Sequence, residues 1–257
     1  MTPEPVALAA DRAGARWFRR ASRSTAPRLR LVCLPHAGGT ASFFHSWAGA
    51  FGSEVEVLSA RYPGRQDRIA EPCLDSMDEL ADALVEALPP LLDRPLALFG
   101  HSMGASLAYE VALRLEARHG VRLQGLHVSS RAAPHRAAPS GVHLLDDEAV
   151  VRYVRALGGS EAAVLDDPDL RELVLPAIRS DFRIVGTYRA ASPIPVQCPV
   201  FGYVGDRDPG VGVSDMKAWS EVAPEGFVLR VLSGDHFYLV PRQDELVGEL
   251  TSRMASS

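Results

Sequence analysis

Residues 100–104 read Gly-His-Ser-Met-Gly and place Ser102 between two glycines. The segment follows the apolar run Leu96–Phe99 and precedes apolar residues at helical spacing, so Ser102 lies at a predicted strand-to-helix turn. Glycines at both second neighbours let strand and helix pass closely, which exposes the serine hydroxyl above the sheet. The pattern predicts a nucleophile at Ser102. A serine that only caps the following helix is the alternative interpretation.

A serine nucleophile needs a general base, and the base needs an acid that orients it. With a nucleophile at such a turn, the acid and then the histidine are expected after later strands. His236 follows the predicted strand Phe227–Leu232 and is the candidate base, with a histidine of a surface loop as the alternative.

Three aspartates compete for the role of the acid. Asp206 and Asp208 follow the predicted strand Pro199–Val204, and Asp235 directly precedes His236. A neighbour in sequence reaches the far nitrogen of the ring only with difficulty, which disfavours Asp235. Position favours Asp208 over Asp206, since Asp208 lies on the loop that would turn toward His236. The other residue would then form the turn.

Acyl transfer also requires two backbone N–H groups that bind the tetrahedral oxygen. The residue after the nucleophile, Met103, is one candidate donor. The loop after the predicted strand Leu29–Leu34 reads Pro-His-Ala-Gly-Gly, and Ala37 in this loop is the second candidate. A glycine-rich turn without a ligand is the alternative. Nucleotide-binding spacings of glycine and lysine are absent from the sequence.

The elements that position these residues alternate between strand-like and helix-like runs. This alternation predicts an α/β fold with a mostly parallel central sheet and helices on both faces. Residues 134–195 contain helix candidates at Asp146–Leu157, Pro168–Arg179 and Ser180–Tyr188 but no strand-like run, so we expect an inserted helical lid over the sheet edge. The predicted division is an N-terminal lead-in 1–27, a first core part 28–133, the lid 134–195 and a second core part 196–257.

Composition excludes several classes of function. The 257 residues suit one large domain with an insertion, and the net charge of −5 disfavours a nucleic-acid binder. The three cysteines show no metal-ligand spacing, so we expect no metal, no cofactor and no disulfide framework. No segment reaches membrane-spanning length and no signal peptide is recognisable, so we expect a cytoplasmic protein, with a monomer as the default.

Five segments together resemble type II thioesterases, the stand-alone editing enzymes of polyketide and nonribosomal peptide assembly lines. These segments read LVCLPHAGGTASFFHSW at 31–47, RYPGRQDRIAEP at 61–72, GHSMGASLAYEVA at 100–112, GDRDP at 205–209 and GDHFYL at 234–239. The resemblance covers residues 29–250 and implies an α/β-hydrolase fold. It further implies hydrolysis of acyl groups from the phosphopantetheine arms of acyl or peptidyl carrier proteins.

The same resemblance assigns roles to particular positions. The family's nucleophile falls on Ser102, its histidine on His236 and its acid on Asp208. Its oxyanion donors fall on Ala37 and Met103. One departure is Asp235, which stands where two glycines often precede the histidine.

Two other functions remain open from the sequence: a small-molecule carboxylesterase or lipase with the same triad, and an inactive hydrolase fold that serves as a binding protein. The apolar residues of the lid are expected to line an acyl channel as well as to pack on the core. The three arginines Arg61, Arg65 and Arg68 are candidates for contact with an acidic carrier protein, with solvated loop arginines as the alternative.

Overall fold

A computed structural model describes residues 14–21, 26–158, 164–190 and 192–255. In this part of the chain, seven strands form one sheet in the order β1-β3-β2-β4-β5-β6-β7. The six strands β2 to β7 pair in parallel, and β1 pairs antiparallel with β3. The strands are β1 Phe18–Arg20, β2 Leu29–Leu34, β3 Val55–Ala60, β4 Leu96–His101, β5 Gly125–Ser129, β6 Val200–Gly205 and β7 Phe227–Leu232.

Helices cover both faces of the sheet. They are α1 Trp47–Ala50, α2 Met77–Ala87, α3 Met103–His119, α4 Asp147–Leu157, α5 Pro168–Thr187, α6 Val213–Lys217 and α7 Gln243–Ala255. Every residue of β2 to β6 is buried. Such strands read as continuous apolar runs, which is why the sequence locates them well. Among the described helices, none is long and apolar enough to cross a membrane.

Alternate residues of the central strands pack into two separate apolar clusters, one on each face. Val32 and Leu98 belong to the cluster that contains side chains of α2 and α3. Leu31 and Phe99 belong to the cluster that contains side chains of α1 and α7. This period of two along each strand is what a sheet covered on both sides requires.

Part of the predicted lead-in 1–27 contributes a strand to the sheet. Phe18–Arg20 forms β1 and extends the sheet beyond β3, and Phe18 is buried. Three residues are too few to show a periodicity, so the sequence pattern gives no signal for this strand. Residues 1–13 and 22–25 of the predicted lead-in lie outside the described residues.

Two helix predictions differ from the structure. The residues after the Pro-His-Ala-Gly-Gly loop also predict a helix near Ala41–Ala50, and the structure has there a 3-10 turn at Ala41–Phe44 followed by the short α1. The two helices predicted from Pro168 to Tyr188 form the single helix α5, because apolar residues continue at helical spacing across the predicted break. Pro176 lies inside α5 without ending it.

Residues 134–195 are helical and contain no strand among those that the structure describes. Helices α4 and α5 of this segment share a small apolar cluster, to which Val150, Val151, Ile178 and Phe182 belong. We call residues 134–195 the helical segment. Its standing as a separate lid, and the division of the chain into four parts, stay predictions.

Candidate active site

Ser102 lies at the turn between β4 and α3. Its backbone has φ +55° and ψ −118°, a left-handed conformation that non-glycine residues rarely adopt. The Ser102 N–H donates to the carbonyl of Ser129 at the end of β5, with 2.8 Å between N and O. The side chain is partly accessible, at the edge of the sheet where the parallel strands end.

The glycines around Ser102 are required by close backbone contacts. A Cβ atom on Gly100 would lie 2.0 Å from the carbonyl oxygen of Gly104. A Cβ atom on Gly104 would lie 2.0 Å from the carbonyl oxygen of Leu34 in β2. Both contacts are with backbone that cannot move aside, so β4, α3 and β2 pack this closely only around glycine.

The substitution Gly104→Ala is therefore expected to destabilise the protein by about 3 kcal/mol or more, at the upper end of what overpacking costs. Gly248→Ala is the matched control, since Gly248 lies inside α7 and a Cβ atom there meets nothing within 4 Å. That control should be neutral or stabilise by up to about 1 kcal/mol. Urea unfolding of both variants checks the expectation, and equal stability of the two would contradict it.

His236 and Asp208 form a buried hydrogen bond. His236 Nδ1 and Asp208 Oδ2 are 2.8 Å apart, and the aspartate side chain has no exposed surface. Asp208 Oδ1 accepts from the N–H groups of Gly210 (2.9 Å) and Val211 (3.2 Å). Burial alone would raise the pKa of Asp208, but the hydrogen bond and charge of His236 and the Gly210 N–H lower it overall. Asp208 is thus a carboxylate that can accept a hydrogen bond from an Nδ1–H of His236, an arrangement that would leave Nε2 free to accept a proton.

The other two aspartates contact backbone instead of the histidine ring. Asp206 Oδ1 accepts from the N–H of Gly234 at 2.8 Å. Asp235 Oδ1 accepts from the N–H of Phe237 at 2.8 Å. Both carboxylates therefore stabilise the loops around the site, and of the three candidates Asp208 is the one that the structure brings to the ring of His236.

The loop after β2 leaves one N–H group available at the site. The Gly38 N–H donates to Asp181 Oδ2 at 2.7 Å, and the Gly39 N–H donates to the carbonyl of His36 at 2.9 Å. Among the described residues, no acceptor is found for the N–H of Ala37. Met103 is the first residue of α3, so its N–H has no partner within the helix. Ala37 and Met103 thus stay the candidate donors for an oxyanion hole.

Arg65 and Asp181 form a bidentate ion pair that holds the loop of Ala37 against α5. Arg65 Nη1 and Nη2 lie 2.5 Å and 2.8 Å from the two carboxylate oxygens of Asp181, and both side chains are buried. Arg65 also donates to the carbonyl of Gly39 at 3.2 Å. Burial alone would lower the pKa of Arg65, but the charge and hydrogen bonds of Asp181 raise it overall. The pair connects the helical segment directly to the candidate oxyanion loop.

This pairing corrects the two sequence interpretations of the arginines. Arg68 is buried and pairs with Glu71, and Arg61 pairs with Asp67. Since Arg65 pairs with Asp181, all three arginines bind carboxylates of this chain. Two of the three, Arg65 and Arg68, are buried. Arg65 and Arg68 are therefore neither solvated nor available to an acidic partner protein, while 21% of the Arg61 side chain is exposed.

The substitution Asp181→Asn is expected to destabilise the protein by about 3–5 kcal/mol, because it leaves the Arg65 charge buried without a counter-ion. The double variant Arg65→Gln/Asp181→Asn should recover part of this loss, since neither charge is then present. Urea unfolding measures both, with Asp169→Asn, an exposed acid of the same helix, as the control. A single variant as stable as wild type would show that the ion pair contributes nothing.

A cavity of about 370 Å³ connects the candidate catalytic groups to the helical segment. Ser102, His236 and Ala37 line one side of it. Apolar side chains of α4 and α5 line the other, namely Tyr153, Val154, Leu157, Val174, Ile178, Phe182 and Val185. A mostly apolar cavity with a few convergent polar groups is typical of a site for a small apolar ligand.

The apolar residues predicted to line a channel fall into three groups. Tyr153, Leu157, Val174 and Phe182 line the cavity. Val150 and Val151 are fully buried in the apolar cluster of the helical segment. Leu144, Leu145 and Leu173 are exposed, with exposed fractions of 78%, 43% and 52%. Spacing alone does not separate these groups, because all three lie on amphipathic helices or their ends.

A hydrogen-bonded network that the sequence does not predict lies beneath the site. His101 Nδ1 and Ser129 Oγ are 3.0 Å apart, and Ser129 Oγ and the Tyr238 hydroxyl are 2.7 Å apart. Burial, and then the charges of His236 and His36, lower the pKa of His101 well below its usual value, so its ring is neutral. The ring centroids of His101 and His236 are 5.1 Å apart. These hydrogen bonds thus fix the ring of His101, against which the ring of His236 packs.

The mostly parallel sheet, with helices on both faces and Ser102 at a strand-to-helix turn, defines an α/β-hydrolase fold. Within that fold, a model of the thioesterase domain matches residues 29–254, and the chain belongs to this family. In sequence, it is 45% identical over 239 residues to thioesterase PikA5 of Streptomyces venezuelae, a match that covers 93% of this chain and 85% of that protein.

Comparison with solved structures likewise finds thioesterases. The type II thioesterase BorB from the borrelidin biosynthetic cluster superposes with a TM-score of 0.86 at 43% identity, over 93% of this chain and 97% of that one. The RedJ thioesterase from the prodiginine pathway of Streptomyces coelicolor superposes with a TM-score of 0.85 at 38% identity, over 90% and 92% of the two chains. The fold prediction and the resemblance to type II thioesterases are thereby confirmed, while the roles of the individual site residues stay predictions.

Proposed function

We propose that this thioesterase hydrolyses acyl groups from the phosphopantetheine arms of acyl or peptidyl carrier proteins. In a polyketide or nonribosomal peptide assembly line, this reaction removes stalled or aberrant acyl units. The observation that carries the proposal is the hydrogen bond of Asp208 to His236 beside the cavity that Ser102 also lines. Membership of the thioesterase family and the biosynthetic clusters of its relatives support the substrate class.

The first half-reaction forms an acyl-enzyme. His236 Nε2 accepts the proton of the Ser102 hydroxyl while Oγ bonds to the thioester carbonyl carbon. The carbonyl oxygen takes up the negative charge and accepts hydrogen bonds from the N–H groups of Ala37 and Met103. The C–S bond then breaks, and the pantetheine sulfur leaves with the proton that His236 held. A thiol of pKa about 8.5 is a good leaving group, so its departure needs little assistance from protonated His236 as general acid.

The second half-reaction releases the acyl group. Water bonds to the carbonyl carbon of the acyl-serine while His236 Nε2 accepts one of its protons. The same two N–H groups bind the second oxyanion. The C–O bond to Ser102 breaks, Oγ regains its proton from His236, and a carboxylic acid leaves the cavity. Asp208 stabilises the imidazolium in both halves without itself being protonated.

Intact-mass spectrometry of acyl-loaded carrier proteins tests the proposal against the two other functions. We expect loss of the acyl mass from the carrier, with kcat/KM well above that for p-nitrophenyl esters of the same acyl groups. A preference for the simple esters would favour a carboxylesterase. A wild-type protein that a fluorophosphonate does not label would favour an inactive binding protein.

Acyl-chain selection by the helical segment is tested with Val154→Phe. Val154 lines the cavity from α4, so the larger side chain fills space that a long acyl chain needs. We expect kcat/KM for decanoyl carrier protein to fall about tenfold or more relative to acetyl carrier protein, the size of effect that a hydrophobic pocket gives. Ala156→Phe, an exposed position of the same helix, is the control. An unchanged decanoyl-to-acetyl ratio in the Val154 variant would contradict this channel.

A further inference from the structure

Arg131 lies in the cavity beside the candidate catalytic groups. It follows Ser129 and Ser130 at the end of β5 and lines the same cavity as Ser102 and His236. Its Nε donates to Ser106 Oγ at 3.0 Å. Ser106 lies one helical turn after Ser102 on α3, so the guanidinium is held over the first turn of the helix that follows the nucleophile.

The charge of Arg131 has no counter-ion in the described part of the chain. No carboxylate there forms an ion pair with it, and of its three side-chain nitrogens only Nε has an acceptor among the described residues. Arg65, which contacts the loop of Ala37, shows the usual arrangement, in which a buried guanidinium binds a carboxylate. A buried charge without a partner is strongly unfavourable, and the hydroxyl of Ser106 compensates little of that.

The surroundings of Arg131 do not remove the charge. Burial lowers the pKa of its guanidinium, and the nearby charge of Arg189 lowers it further. A guanidinium nevertheless remains protonated in proteins, so the N–H donors persist at the cavity wall. Some N–H groups at the wall of a substrate cavity have no acceptor within the protein. Such groups are placed to donate to an acceptor on the substrate.

We propose that Arg131 forms an oxygen-binding subsite, which donates N–H groups to a carbonyl, hydroxyl or carboxylate oxygen of the acyl chain near the thioester. This subsite rests on the proposed function, because its ligand is the acyl group that Ser102 attacks. One helical turn separates Ser102 and Ser106 by about 5–6 Å, and Arg131 lies one hydrogen bond beyond. A substituent on the third carbon of the acyl group is the oxygen that we choose to test. An acyl unit that carries such an oxygen is bound better than a fully reduced one of equal length.

The test uses four acyl groups on one carrier protein: butanoyl, 3-hydroxybutanoyl and 3-oxobutanoyl, each with four carbons, and malonyl, in which a carboxylate oxygen replaces the terminal methyl group of 3-oxobutanoyl. For the wild-type enzyme we expect kcat/KM to be about 10–100-fold higher for at least one oxygenated group than for butanoyl, as a hydrogen bond to a charged donor provides. Preference for malonyl would identify a carboxylate as the ligand, and preference for the hydroxy or oxo group would identify a neutral oxygen. A wild-type enzyme that hydrolyses butanoyl fastest would overturn the subsite without any variant.

Arg131→Gln is expected to remove that preference and to lower butanoyl hydrolysis by a much smaller factor. Arg131→Lys, which keeps the charge, should retain part of the preference. Arg136→Gln is the control, since Arg136 is an exposed arginine that pairs with Glu221 outside the cavity. An equal loss for all four acyl groups in the Arg131 variants would show that this arginine only supports the structure, and would overturn the subsite.

The same series as N-acetylcysteamine thioesters separates this proposal from the proposed function. If the enzyme cleaves these small thioesters but not the carrier-bound ones, the carrier substrate is wrong while the ratio of oxygenated to butanoyl rates still decides the role of Arg131. If both series are cleaved without a dependence on oxygen, the proposed function stands and the subsite fails.

Discussion

Ser102→Ala is expected to lower kcat for acyl-carrier hydrolysis by about four to six orders of magnitude. Removal of a triad serine leaves only the catalysis that substrate binding and the oxyanion hole provide. The expected loss follows from the placement of Ser102, whose strained backbone holds the hydroxyl beside the cavity that His236 also lines. Single-turnover hydrolysis followed by intact mass measures the rate, and covalent labelling by a fluorophosphonate should disappear with it.

Ser220→Ala is the control, since Ser220 is an exposed serine outside the cavity. It should keep wild-type hydrolysis and labelling. Thermal unfolding separates a chemical effect from a structural one, because Ala fits at the turn without added volume. If a folded Ser102→Ala variant keeps a tenth of the wild-type rate, another group performs the attack and the assignment of the nucleophile is wrong.

The sequence predicts strands that consist mostly of apolar residues. Leu29–Leu34 and Phe227–Leu232 form strands with the predicted bounds. The turn at Ser102 is predictable for the same reason, since the strand before it and the helix after it leave one place for the serine. A local sequence pattern is sufficient to predict an element when the same type of environment, buried or exposed, recurs regularly along it.

Contacts between distant parts of the chain are what the sequence does not reveal. Arg65 and Asp181 are 116 residues apart in the sequence. Each is a charged residue of a kind that is usually exposed, so the sequence does not show that the two pair in the interior. Arg131 likewise reads as a loop arginine, because only the structure shows that no described carboxylate pairs with it. The choice between Asp206 and Asp208 depends on how a loop turns, and a turn of two residues changes which carboxylate faces the histidine.

That choice leads to the second large expected effect, from Asp208→Asn. The asparagine keeps an oxygen for the N–H groups of Gly210 and Val211, so the loop is expected to fold as before. Its amide NH₂ then faces His236 Nδ1, which favours the tautomer with the proton on Nε2. An Nε2 that carries a proton cannot accept the one from Ser102. We expect kcat to fall about 10⁴-fold, as in triads where the tautomer is reversed in this way.

Asp206→Asn is the matched control two residues earlier in the same loop. Its oxygen continues to accept from the N–H of Gly234, so hydrolysis should remain within about threefold of wild type. The rates of hydrolysis and of fluorophosphonate labelling should fall together in the Asp208 variant, since both reactions need the same base. If instead the Asp206 variant loses more activity than the Asp208 variant, the acid of the triad is misassigned. The hydrogen bond between Asp208 and the ring would then only stabilise the structure, because loss of a hydrogen bond that orients the base must lower the rate of hydrolysis.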